Sequence, residues 1–253
     1  MRAMIDRKEM DETVIRMGDQ AVALTEFRST GFRMVAIGAG GAGKTNAALS
    51  VVEQLVDTGH WVGVIVDPEG ELQPLLGTPV DSPAGLRSAL IARSPSLLVI
   101  QADTPEAFMP YAEVVSEVVN RQREAVVLMI DEGQLFSNAR KRKGGVGASS
   151  DVINDFVVRG RKRALDLVIT TPRASSSLNR MVFNGSNLTL IGAHADPAGW
   201  SMLAPLFKGA EIGYRDLLAL QTGEFIMTSP RGVSKVRLPL CKTLSKVARP
   251  AAP

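Results

Sequence analysis

Cysteine and histidine are nearly missing from this chain. A single cysteine, Cys241, excludes an internal disulfide and a cysteine-built zinc centre, and two histidines leave little else to hold a transition metal. Aromatic residues make up only 5%, so platforms for stacking on bases are few. No run of about 18 uninterrupted apolar residues occurs, which removes a membrane-spanning helix from consideration. The first residues, MRAMIDRKEMDET, carry acids and no apolar stretch of the kind a secretion signal needs, so a cytoplasmic location is the expectation. Acids are also absent from the last 29 residues, 225–253, which hold six bases.

What is present describes a soluble globular chain: 253 residues, 45% hydrophobic and 22% charged, enough for one main fold with extensions. From Gly31 onward, apolar runs of strand length (FRMVAI, WVGVIV, LLVIQ, AVVLMI, LDLVIT, NLTLI) alternate with helix-length segments at 44–57, 105–123, 150–163 and 197–207. Short apolar strands separated by helices imply parallel strands joined by right-handed crossovers. The expected fold is a doubly wound α/β sheet, mostly parallel, with helices on both faces. Residues 1–30 read as an extension, a helix followed by a short strand at AVALTEF. Residues 31–230 read as the main domain, and 231–253 as a basic C-terminal tail. Two long connections, 67–83 and 140–150, are rich in turn formers and are expected to be irregular. Trp200, in DPAGWSMLAPLF, lies among apolar neighbours and is expected to pack in the core.

The glycines of MVAIGAGGAGKTNAALSVV fit two phosphate-binding patterns. Gly38, Gly40 and Gly43 spell the dinucleotide fingerprint, and Asp67 at the end of WVGVIVD stands where a ribose-binding acid would. The same segment spells G-x-x-x-x-G-K-T, which also employs Lys44 as a cation for the β/γ-phosphates and Thr45 as a hydroxyl for magnesium. The longer pattern explains two residues that the shorter leaves idle, and it lies between a strand and a helix. Gly38, Ala39, Gly40, Gly41, Ala42, Gly43, Lys44, Thr45 and Asn46 are therefore the expected nucleotide contacts, with ATP and magnesium as cofactors. AVVLMIDE supplies the complementary part. It is a buried strand ending on Asp131, which would orient the magnesium shell, and Glu132, which would polarise an attacking water. Glutamate there suits hydrolysis rather than transfer to a small acceptor.

With these parts the chain resembles the HerA/FtsK superfamily of P-loop ATPases, DNA-pumping motors of RecA/ASCE-like fold that include viral genome-packaging ATPases. The resemblance rests on IGAGGAGKTNAAL, VIVDPEGEL, VVLMIDEGQLF, RGRKRALDLVITTPRAS and a late GEFIM, across roughly residues 31–228. It implies a homo-oligomeric ring, a hexamer by preference, in which Arg161 reaches a neighbouring subunit's nucleotide, with Arg159 and Arg163 as its substitutes. It departs where the family usually has Thr-Gln-Arg-Pro: here Thr171-Pro172-Arg173-Ala174 lacks the glutamine that senses the γ-phosphate, and Thr170, Thr171 or Arg173 would have to fill that space. A motor this short fits the viral packaging branch, with double-stranded DNA as its substrate and capsid vertex proteins as partners. The location would then be the host cytoplasm or the virion.

Bases cluster where such a motor would grip DNA. Residues 140–163 hold eight bases against two acids, and Arg140, Lys141, Arg142 and Lys143 follow the acid strand closely. Together with the scarcity of aromatics, this predicts phosphate contacts with little sequence preference. The alternatives are a cellular HerA-like or conjugation-type ATPase, a slow nucleotide-dependent switch, and a nicotinamide oxidoreductase that would not need Lys44.

Overall fold

The computed structural model describes residues 10, 12–76, 78–122, 124–138, 145–174, 178–194 and 196–248, without the side chains of Arg161 and Arg163. Its main sheet has eight strands in the order β10-β9-β8-β3-β7-β6-β4-β5. These are β3 (Arg33–Ile37), β4 (Val62–Asp67), β5 (Leu97–Gln101), β6 (Val126–Ile130), β7 (Leu165–Thr171), β8 (Leu188–Ile191), β9 (Glu224–Ser229) and β10 (Gly232–Arg237). From β8 to β5 every pairing is parallel, while β9 runs antiparallel to both β8 and β10. The expected mostly parallel α/β sheet is thus the observed one.

The six parallel strands were legible because a parallel sheet covered on both faces needs apolar residues at every position. Val35, Ile37, Val64, Val66, Leu128 and Ile130 point to one face, and Met34, Ala36, Ile65, Val127 and Met129 to the other. On the second face lies helix α1 (Lys44–Asp57), which buries Ala47, Ala48, Leu49, Val51, Val52 and Leu55. After the short α2 (Gln73–Leu76), helices α3 (Pro83–Ala92), α4 (Pro105–Arg121) and α5 (Gly145–Arg159) contribute to the opposite cluster. Trp200 packs against that cluster and stacks on Phe207 with ring centroids 5.6 Å apart, as expected.

Three segments differ from the sequence reading. Residues 14–17 form strand β1 (Val14–Met17), not helix, paired antiparallel with β2 (Gln20–Ala23), which begins just before the expected AVALTEF strand. Helix α3 follows the Pro- and Gly-rich connection, with Ser82 accepting from the Gly85 amide at 3.1 Å and Pro83 opening the first turn. Within the segment read as a tail, β10 closes the sheet edge, its exposed positions including Lys235 and Arg237. Charged side chains on an edge strand discourage further strand addition.

Candidate nucleotide site

The carboxyl ends of β3, β7 and β8 fix the start of the glycine loop. Gly38 N donates to Thr171 O at 3.3 Å, Ala39 N to Ala193 O at 2.8 Å, and Gly192 N to Ile37 O at 2.7 Å. A Cβ on Gly38 would sit 3.0 Å from Ala42 Cβ and 3.3 Å from Gly192 Cα, so this close approach admits only glycine without a shift of its neighbours. Gly43 ends the loop at φ 93°, in the left-handed region, as the N-cap of α1. The first turn of α1 holds no acid, which leaves the positive end of the helix dipole and its amides open to an anion. The loop's outer side is braced by a turn after helix α8 (Tyr214–Leu218; α6 is Arg180–Gly185 and α7 Pro197–Leu203). There Gly223 N donates to Ala42 O at 3.0 Å, and Thr222 Oγ1 to Gly41 O at 3.0 Å.

Lys44 is buried, with Nζ donating to Ala39 O at 3.2 Å, so its ammonium is folded back over the loop's own backbone. Thr45 Oγ1 donates to the Asp131 carboxylate, 3.2 and 3.3 Å from its two oxygens. The β6–β7 register, Ile130 opposite Ile169, brings Thr170 beside Asp131. Thr170 Oγ1 donates to Asp131 Oδ1 at 2.5 Å and accepts from Glu132 N at 3.0 Å. One buried hydroxyl therefore ties the Asp131 carboxylate to the Glu132 backbone. Burial pushes the Asp131 carboxyl above its ordinary range, and the nearby Glu132 charge adds to this. The hydrogen bonds from Thr170 and Thr45 and the Lys44 charge oppose the rise.

A hydroxyl and a carboxylate at this separation are hard oxygen donors of the kind magnesium takes while keeping its other positions for phosphate and water. Among the described residues there is no cluster of three or more His, Cys, Asp or Glu that would hold a metal unaided. Thr45 and Asp131 fit an ion that arrives with a nucleotide.

Glu132 itself is left-handed, at φ 47° and ψ 47°. Gln134 Nε2 donates to Glu132 Oε2 at 2.5 Å, a contact that sequence reasoning did not foresee. Arg161 has its backbone in the 3-10 turn Gly160–Arg163 at the amino end of β7, the sheet edge opposite the glycine loop. Arg159 pairs with Asp155 at 2.9 Å. Residues 140–143 lie outside the described residues. Thr171 Oγ1 donates to Arg173 O at 3.3 Å. His194, buried just beyond β8, is held below its ordinary range by burial and by the charge of Arg173, with Asp196 opposing.

Two expectations change. The Asn46 side chain is taken by the C-terminal segment, donating to Pro239 O at 2.9 Å and accepting from Cys241 N at 2.8 Å, so only its backbone is left to meet a nucleotide. Asp67, the acid that favoured the dinucleotide reading, is buried, and its Oδ2 accepts from Leu72 N at 2.8 Å and Gln73 N at 3.0 Å. It closes the DPEGELQ turn and is not presented to a ribose.

Sheet order, glycine loop and acid-ending strand together define a P-loop NTPase fold. Among solved structures, the chain is similar to the genome packaging NTPase B204 of Sulfolobus turreted icosahedral virus 2 in complex with sulfate. The identity is 14%, with 84% of this chain and 99% of that one covered and a TM-score of 0.66. It is also similar to Thermomonospora curvata EccC, ATPases 2 and 3 (11% identity, 92% and 42% covered, TM-score 0.59). A third likeness is to the pCW3 conjugation coupling protein TcpA (12% identity, 89% and 65% covered, TM-score 0.56). The fold implied by the HerA/FtsK resemblance is thus the fold observed. No protein-family model and no curated protein matches the chain.

Proposed function

We propose that this protein is a magnesium-dependent ATPase that translocates double-stranded DNA as a homo-oligomeric ring, and that it packages a viral genome. The observation that carries the ATPase reading is Asp131 beside the glycine loop, bonded directly by Thr45 and tied through Thr170 to the backbone of Glu132. The loop amides and Lys44 would hold the β/γ-phosphates, Lys44 exchanging its bond to Ala39 O for a phosphate oxygen. Thr45 and Asp131 would hold magnesium, which when bound neutralises charge on the phosphates. Glu132 would draw a proton from water. The water oxygen then bonds to the γ-phosphorus, the bond from that phosphorus to the bridging oxygen breaks, and its electron pair leaves on ADP.

The packaging reading draws on the likeness to B204 over nearly that protein's whole length. EccC and TcpA favour the second reading, a cellular or conjugation-type translocating ATPase. The DNA-contact role of Arg140, Lys141, Arg142 and Lys143 rests on sequence charge. Lys44→Ala should lose ATP turnover altogether; a variant that turns over ATP at the parental rate contradicts the site assignment.

A further inference from the structure

We infer that Gln134 is a positioning residue for hydrolysis: it sets the Glu132 carboxylate for the proton it draws from the attacking water. The inference rests on the ATPase reading above.

The backbone of Glu132 is fixed on both sides. Its N–H donates to Thr170 Oγ1 at 3.0 Å, and its carbonyl accepts from Leu135 N at 2.9 Å. Gly133 is buried, and a Cβ there would run into Ile169, so the turn lies flat against β7. What remains free in Glu132 is the side chain, and the contact that holds it is the 2.5 Å bond from Gln134 Nε2 to Oε2.

That bond also decides which way the Gln134 amide faces. A carboxylate only accepts, so the group beside it is the NH₂, and Oε1 takes the other side. Gln134 Oε1 is buried and has no hydrogen-bond partner among the described residues. With that oxygen shut away from water, Nε2 is the end of the amide that meets the carboxylate, and its bond holds Glu132 Oε2 in one orientation for the proton that Glu132 takes from water. In the step, the proton shared with Glu132 moves to the carboxylate as the water oxygen bonds to the γ-phosphorus and the bond to ADP breaks. The water's other proton stays with the new phosphate oxygen.

The test compares the parent with Gln134→Ala and Gln134→Glu, the second keeping the size of the side chain but losing its N–H donors. Turnover with magnesium and long double-stranded DNA is measured beside affinities for a fluorescent ATP analogue and for ADP with aluminium fluoride, a mimic of the transferring phosphoryl group. Both variants should lose about 10- to 100-fold in kcat. ATP-analogue affinity should stay within about twofold of the parent, and ADP–aluminium fluoride affinity should fall in step with kcat. Parental kcat in either variant overturns the inference. So does an equal loss of ATP-analogue affinity, which would make Gln134 structural. The aluminium fluoride arm reads Gln134 even where turnover is too slow to measure. A parent that binds no nucleotide contradicts the ATPase reading itself, and this inference with it.

Discussion

Asp131 is held in a place that favours its protonated form. Because burial raises its pKa in the folded chain, folding binds a proton more readily than the unfolded chain does. The resulting penalty is absent below the unfolded pKa and develops as pH rises through the folded one. Asp131→Asn, without nucleotide, should therefore melt above the parent at neutral pH, by about 2–4 °C for each kcal/mol of penalty removed. The gap should close in acid, where both side chains are neutral; a variant that melts lower at pH 7 contradicts this. Lys44 and Thr45 could be found in the sequence because the phosphate pattern fixes their spacing, and Asp131 and Glu132 because an apolar strand ends on them. Gln134 and the bridging role of Thr170 could not. The first depends on the left-handed turn at Glu132, and the second on β6 and β7 lying side by side, neither of which a linear pattern carries.

Among the elements, the parallel strands announced themselves by unbroken apolar runs, whereas β10 (GVSKVR) looked like a polar tail because an edge strand buries only part of its surface. The same segment continues over α1. Asn46 grips residues 239–241, and Glu53 accepts from Lys242 N at 2.7 Å and Thr243 N at 3.0 Å, capping helix α9 (Lys242–Ala248). The helix that begins at the phosphate loop is thus clasped by the chain's C-terminal part. Asn46→Ala leaves Pro239 O and Cys241 N without their partner and should cost about 1–3 kcal/mol. Thermal unfolding should show the loss, and limited proteolysis should show earlier cleavage after residue 238. Unchanged protease resistance would mean that the remaining contacts, Glu53 and Asp57 with Lys242 among them, secure the segment without Asn46.

At the scale of the whole molecule, the arginine-bearing turn and the phosphate loop lie at opposite edges of the sheet. Strand β7 alone separates them by about 20 Å at the usual rise per residue, beyond the reach of an arginine side chain within one subunit. If Arg161 acts on a nucleotide, it acts on a neighbour's. Beside that turn, the exposed Val158 and Met181 line a surface pocket together with Lys162 and Arg180. Arg161→Ala should hold nucleotide as the parent does and lose about 10³-fold in turnover. Mixing it with Lys44→Ala subunits should restore activity, since each supplies what the other lacks; failure of every mixture would remove Arg161 from a trans role.

The central claim, a DNA-coupled ATPase, is tested most directly by steady-state ATP hydrolysis in magnesium with and without long double-stranded DNA, with Glu132→Gln as the blank. The account predicts turnover that DNA stimulates strongly and that the blank lacks. Turnover indifferent to DNA would contradict the motor and bring forward the nucleotide switch, and turnover retained in the blank would contradict the site.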